Sequence, residues 1–243
     1  MSRFDALFGR GSNSGSEDEH HWLSVSDLMA GLMMVFLLIS IALMQNALKE
    51  RDRVTQVAET YQQTQIAIYE ALLAEFAEDL ERWQADIDAD TLALTFNSPE
   101  VLFAQGSSDL RRRFESILND FYPRYLEVLT PFRQSIDEIR IEGHTSSLWN
   151  NNVSEDEAYF LNMQLSQDRT RSVLSYLYRL PETQADKAWV KSTTAAVGFS
   201  SAHTVPVEGK KEQEDHEASR RVSFRILTNA ESQIREILAE GMQ

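Results

Sequence analysis

Apolar and polar positions follow three different rhythms along this chain, and each predicts its own kind of element. From Trp22 to Leu48, WLSVSDLMAGLMMVFLLISIALMQNAL, apolar side chains fill most positions and no polar stripe of a surface helix interrupts them. The part from Leu28 to Met44 with its flanks reaches the ~20 residues and ~30 Å that a bilayer-spanning helix needs at ~1.5 Å per residue. From Gln45 to Ile87 there is neither Gly nor Pro, and Val54, Val57, Ala58, Tyr61, Ile68, Leu72 and Phe76 recur at helical spacing. That predicts a helical stalk over 49–90, whose apolar stripe either pairs with a second copy or lies on a folded domain. After Asp90 the period drops to two, so Thr91 to Phe96, TLALTF, is predicted as a strand opening a new domain.

Within that domain the spacing predicts an amphipathic helix over Asp109 to Leu129, broken at Pro123, and a second strand from Ile136 to His144. A polar loop over 146–157 leads to a long helix from Ala158 to Leu180, halted by Pro181. Thr193 to Val197 and Arg221 to Leu227 read as further strands, and a closing helix follows Asn229. The order β-α-β-α-β-β-α describes an α+β domain over 91–230, with helices packed on a mixed sheet. Residues 1–20, rich in Gly and Ser around GRGSNSGSEDEHH, are expected to form a flexible tail.

Composition narrows the function. The net charge of −15 excludes a broad basic surface for nucleic acid. Arg111-Arg112-Arg113, the one dense basic cluster, sits among acidic and apolar residues as a solvated helix face. With no cysteine, disulfides, thiolate catalysis and Cys-type zinc sites are all excluded. The adjacent His20 and His21 diverge in any backbone conformation and make no metal site, and no nucleophile and base pair stands out. Neither a catalytic residue nor a cofactor is expected. The apolar run exceeds the roughly 7–15 residues of a signal-peptide core and lacks a small-x-small cleavage site, so it reads as an uncleaved signal anchor.

Asp27 is the single charge in that run. A carboxylate at such depth costs ~2.5–3.5 kcal/mol on insertion scales, so it is expected to face protein or an ion path. Trp22, suited to the membrane interface, precedes it by more than a turn. Ser24, Asp27, Gly31 and Met34 share a helix face with Ala30 beside it, and these small residues let another helix approach the carboxylate. Orientation is less clear: Lys49, Arg51 and Arg53 follow the helix directly and, by the positive-inside rule alone, favour a cytoplasmic C-terminal side over the side carrying Arg3 and Arg10.

Three separated pieces carry a resemblance. Ile141-Glu142-Gly143-His144-Thr145, then Asn162-Met163-Gln164-Leu165-Ser166-Gln167-Asp168-Arg169, and last Ser219-Arg220-Arg221-Val222 resemble, in order, the strand and helix motifs of the OmpA-like peptidoglycan-binding domain. The resemblance implies a site for the wall's stem peptide in which Arg169 binds a carboxylate, Asn162 positions the peptide, Leu165 packs at the base and Leu161 stands where the family often has an aromatic residue. Ser146 replaces the family's Asp after Gly-His-Thr, and His144 is read as structural. Joined to the membrane helix, whose Asp27-Leu28-Met29-Ala30-Gly31-Leu32-Met33-Met34-Val35-Phe36-Leu37 is similar to that of the MotB-like subunits of ion-driven stators, the chain most resembles the ZorB family of Zorya anti-phage defence systems. The resemblance implies a homodimer inside a ring of five larger MotA-like (ZorA-like) membrane subunits. It places the chain in the bacterial inner membrane with the N-terminus cytoplasmic and the C-terminal domain in the periplasm, held to peptidoglycan. Lipid disfavours the ionised carboxylate, which suits Asp27 to take up a proton on one side and release it on the other. A flagellar stator subunit and a passive wall tether without ion flow remain the alternatives.

Overall fold

The computed structural model describes residues 15–97, 102–104, 106–150 and 152–229; of residues 15–24 it describes the helical backbone alone. The expected closing helix and most of the N-terminal tail lie outside these residues. Contacts divide the chain into two units, residues 1–55 and 56–243.

Helix α1 spans Gly15–Trp83, 69 residues without interruption, so the last part of the expected tail is helical. In the first unit Val25 to Leu48 is exposed all round: Met34 is 72% and Phe36 62% accessible. By length and composition this helix is able to cross a membrane. In the second unit the same helix turns amphipathic. Ile68, Leu72 and Phe76, spaced by four, and Trp83 are buried in the domain core. Of the two partners the sequence left open for that stripe, these residues choose the folded domain.

Trp83 ends α1, and Gln84 takes the left-handed conformation at φ 52°. There the sequence-based expectation fails. Residues 85–88, read as helix, form strand β1 (Ala85–Asp88), paired antiparallel with β2 (Ala93–Phe96). The sheet continues through β3 (Ile136–Gly143) and β4 (Thr194–Gly198) to β7 (Val222–Thr228), in the order β1-β2-β7-β3-β4. Only β3 and β4 run parallel; the other pairings are antiparallel, so the sheet is mixed as expected. A second, unforeseen ribbon of β5 (Val205–Val207) and β6 (Lys210–Asp215) interrupts the path from β4 to β7.

Alternation decides which face is which. Leu94 and Phe96, Ile139 and Ile141, and Val222, Phe224 and Ile226 point into the core, whereas Thr95, Glu142, Ser223 and Arg225 stand on the opposite face. The inner face is covered by α2 (Arg112–Leu129) and α3 (Glu155–Leu177), with the short α4 (Lys187–Thr193) before β4. Helix α2 runs through Pro123 unbroken, contrary to expectation. Phe121, Tyr122, Tyr125 and Leu126 are all buried around the proline, and that packing outweighs the lost backbone hydrogen bond. Phe121 sits amid Phe76, Phe96, Tyr125 and Phe224, with ring centroids 5.4, 5.4, 4.9 and 5.0 Å away.

Arg124 fastens α1 to α2. Its Nε donates to Glu75 at 2.6 Å, its Nη1 to Asp79 at 2.8 Å and its Nη2 to the Glu75 carbonyl at 2.9 Å, while the guanidinium lies 4.9 Å from the Phe76 ring centre. Burial works against the charge, but the hydrogen bonds to Glu75, Asp79 and Asp120 prevail and hold it more firmly protonated than a free arginine.

Candidate functional site

Helix α3 carries one of the three quoted motifs, Asn162 to Arg169, and its start is written in the sequence. Ser154 caps it by accepting from the Glu157 N–H at 3.2 Å, and Glu155, Asp156 and Glu157 fill the first turn, where the helix dipole favours negative charge. The helix therefore begins before Ala158, and Asn162 lies inside it rather than at its cap.

Two glycines let α3 lie against the sheet. A Cβ on Gly143 would come within 2.8 Å of the Ser166 carbonyl oxygen, and one on Gly198 within 2.5 Å of the Gln167 backbone nitrogen. The glycine of the Gly-His-Thr motif is thus explained by close approach rather than by a turn. Ser166 completes the junction: its hydroxyl donates to the Met163 carbonyl at 2.9 Å and accepts from the Ser200 N–H at 3.1 Å.

Arg169, one turn further on, projects into a narrow cleft whose walls include Phe103, Gly143, Ser166, Arg220 and Arg221. Its Nε donates to the Ser107 carbonyl at 3.0 Å, and the Phe103 ring centre lies 4.9 Å from the guanidinium carbon. The remaining space is about 10 Å³, room for a single water. Burial first, and then the like charge of Arg220, pull the Arg169 guanidinium down to about 10, still charged at neutral pH. Arg220 has a buried Nε without a hydrogen-bond partner. Among the described residues, no carboxylate forms an ion pair with either arginine. Two neighbouring guanidiniums in that condition favour an anionic group, and a carboxylate suits their planar donors.

The other expected site residues fall around this cleft. Asn162 is buried, and its Nδ2 donates to the Leu148 carbonyl at 3.4 Å, a long bond that ties the 146–154 loop to α3. Leu161 and Leu165 are half-buried, and neither forms a wall of the cleft; the helix turns Ser166 and Arg169 inward instead. Ser146 is buried, and a carboxylate reaches the same loop from β6: Glu214 accepts from the Ser147 N–H at 3.1 Å and from its hydroxyl. Burial raises Glu214, but the Ser147 bonds outweigh it and hold the carboxyl below its ordinary value. His144 is buried, stacked on Phe199 with centroids 5.3 Å apart, and its Nε2 is 3.7 Å from Glu142. Burial pushes its imidazole down, so it is neutral at physiological pH, as a structural histidine should be. Phe103 and Arg220 were not singled out from the sequence; the Ser219-Arg220-Arg221-Val222 motif contained the second of them.

In the first unit Asp27 is exposed on α1, the only ionisable residue from Val25 to Leu48. No group of His, Asp and Glu fit to hold a metal occurs among the described residues.

Residues 102–220 match the OmpA family. A solved MotB-like protein from Desulfovibrio vulgaris is 20% identical, with 71% of this chain and 94% of that one covered, at a TM-score of 0.47. The cell wall anchor of the T6SS from Pseudomonas aeruginosa is 21% identical, with 65% and 96% covered, at a TM-score of 0.43. Both are too distant to support a functional argument. The relationship to the Zorya protein ZorB of Escherichia coli is of another order, 50% identity over 236 residues that make up 97% of this chain and 100% of that protein. The chain belongs to the ZorB family.

Proposed function

We propose that the chain is the wall-anchored stator subunit of a proton-driven inner-membrane motor that acts in anti-phage defence, with Asp27 as the proton carrier. The observation that carries this reading is Asp27 itself, alone among exposed apolar residues of a membrane-length helix in a chain half identical to a Zorya protein. A carboxylate there is disfavoured when charged and useful when it alternates between forms. Two copies sit inside a ring of larger ZorA-like subunits, and protonation of Asp27 biases the contacts that turn the ring.

The second unit supplies the fixed point. Arg169 and Arg220, with no carboxylate partner among the described residues, take a carboxylate of the peptidoglycan stem peptide. About 10 Å³ holds no peptide, so binding requires the contacts of Arg169 with the Phe103 ring and the Ser107 carbonyl to give way. Peptidoglycan lies outside the inner membrane, which places the N-terminus in the cytoplasm and the second unit in the periplasm. Without that anchorage the torque would spin ring and core together.

The test is Asp27→Asn, scored in parallel for phage protection and for swimming in deletion strains. Loss of protection with normal expression and complex assembly is expected, and swimming should not depend on the gene at all. Full protection by the variant rejects ion transfer and leaves a passive tether; a swimming defect reassigns the chain to flagellar work.

A further inference from the structure

The polar face of the sheet, opposite the helices, is not flat. The connection from β4 to β7 arches over it and encloses a cleft of about 540 Å³, within the range of small-molecule sites. Asp86 of β1, Thr95 of β2, Glu142 of β3 and Arg225 of β7 form its floor, and Phe199 and His203 hang above. Beside the cleft lie buried polar atoms without hydrogen-bond partners: Glu142 Oε1 and His144 Nδ1, on side chains only 7% and 5% accessible, and the Arg225 Nε. Buried polar atoms without hydrogen bonds are costly, so a ligand that draws these side chains toward it by a small rotation is favoured.

The walls indicate its chemistry. Apolar and polar atoms share the lining, with Ala93, Phe199, Val205 and Ala218 among the polar groups, and neither an anion nor a cation alone is matched, because carboxylates and guanidiniums alternate across the floor: Glu142 Oε1 stands 4.0 Å from Arg225 Nη1. Closely spaced donors and acceptors, with one aromatic edge, suit a ligand whose hydroxyls each give and accept a bond. The cleft adjoins the arginine cleft, since His144 and Arg221 line both.

We infer that this outer-face cleft is a saccharide subsite, which holds a sugar ring of the wall glycan whose stem peptide enters the neighbouring arginine cleft. The inference rests on the wall-binding reading above and extends it from peptide to glycan. It is tested with the full chain in detergent and two separate probes, peptide-free glycan strands released by amidase and a free stem tetrapeptide. Wild type should bind both. Glu142→Gln and Asp86→Ala should each weaken glycan binding about tenfold, the worth of one charge-assisted hydrogen bond, and leave the tetrapeptide unaffected. Arg169→Ala should do the reverse. Asp86 is exposed at the sheet edge, so its variant retains the fold if Glu142→Gln does not. Tetrapeptide binding without glycan binding, or glycan affinity untouched by both cleft variants, overturns the subsite alone. Glycan binding without tetrapeptide binding overturns the arginine reading alone, and the loss of both in wild type rejects wall binding altogether.

Discussion

Helix α1 is two helices in one backbone. Between Val25 and Leu48 its apolar residues point in every direction and all are exposed; between Ile68 and Trp83 a single stripe of Ile68, Leu72, Phe76 and Trp83 is buried, Leu73 stays outside it, and Glu75 and Asp79 meet Arg124 beside it. The backbone hydrogen bonding is the same, so what differs is the solvent each part is written for. A helix apolar all round has no face to give to water, whereas a stripe at i, i+4 needs only one partner surface. Hydrophobic content alone would have merged the two; the direction of the apolar residues separates them.

The largest expected break in this contrast comes from paired truncations. Phe76→Ala or Phe121→Ala should cost about 3–5 kcal/mol of domain stability, followed by denaturant unfolding of the full chain in detergent, because each removes an aromatic ring with no accessible surface. Phe36→Ala, an equally large deletion on the exposed part of the same helix, should leave that transition where it is. Equal losses from the two would erase the distinction.

A smaller effect is expected at Gly198. Its Ala variant places a carbon against the Gln167 backbone, which cannot retreat as a flexible side chain does, and should cost about 1–3 kcal/mol. Stem-peptide affinity should fall with it, since α3 carries Arg169, whereas Gly31→Ala meets open space in the first unit and should not alter domain stability. Arg124→Ala should cost about 1–2 kcal/mol, discounted because the pairs are partly open to solvent, and Arg124→Lys should recover only part of it, as an ammonium lacks the planar fork.

The smallest is a pH effect confined to the domain. His144 is held below its ordinary 6.5 by burial, so below that value the unfolded chain binds a proton that the folded chain refuses. Stability is complete above 6.5 and declines as the pH falls from there toward the folded value. Unfolding midpoints across pH 5 to 8 should show this slope, and His144→Gln should flatten it; an unchanged slope assigns it to other groups.

The elements that were legible from sequence had their pattern enforced by burial. Ile136 to Gly143 and Val222 to Thr228 alternate because one face meets the core, and α3 announces itself with Ser154 and three acidic residues. The hidden elements were specified by their neighbours. β1, Ala-Asp-Ile-Asp, has weak strand character and exists because β2 offers an edge after Gln84 turns the chain. β6, Lys-Lys-Glu-Gln-Glu-Asp, is largely exposed and has no alternation to read. The site divides in the same way. Arg169 was visible from its motif, but its charge environment depends on Arg220, 51 positions later, and its lid on Phe103 and Ser107 before it. Leu161 and Leu165 lie on the same helix outside the lining of that cleft.

The joint between α1 and α2 has a mechanical meaning. The bonds from Arg124 reach two carboxylates and a carbonyl within one turn of α1, and the Phe76 and Trp83 rings are wedged beside them. Tension drawn along α1 therefore meets these contacts together, in shear, instead of unzipping them in succession. The load on that joint is shared with Ile68 and Leu72, buried on the same stripe, and with Arg82, which pairs with Asp120 of α2.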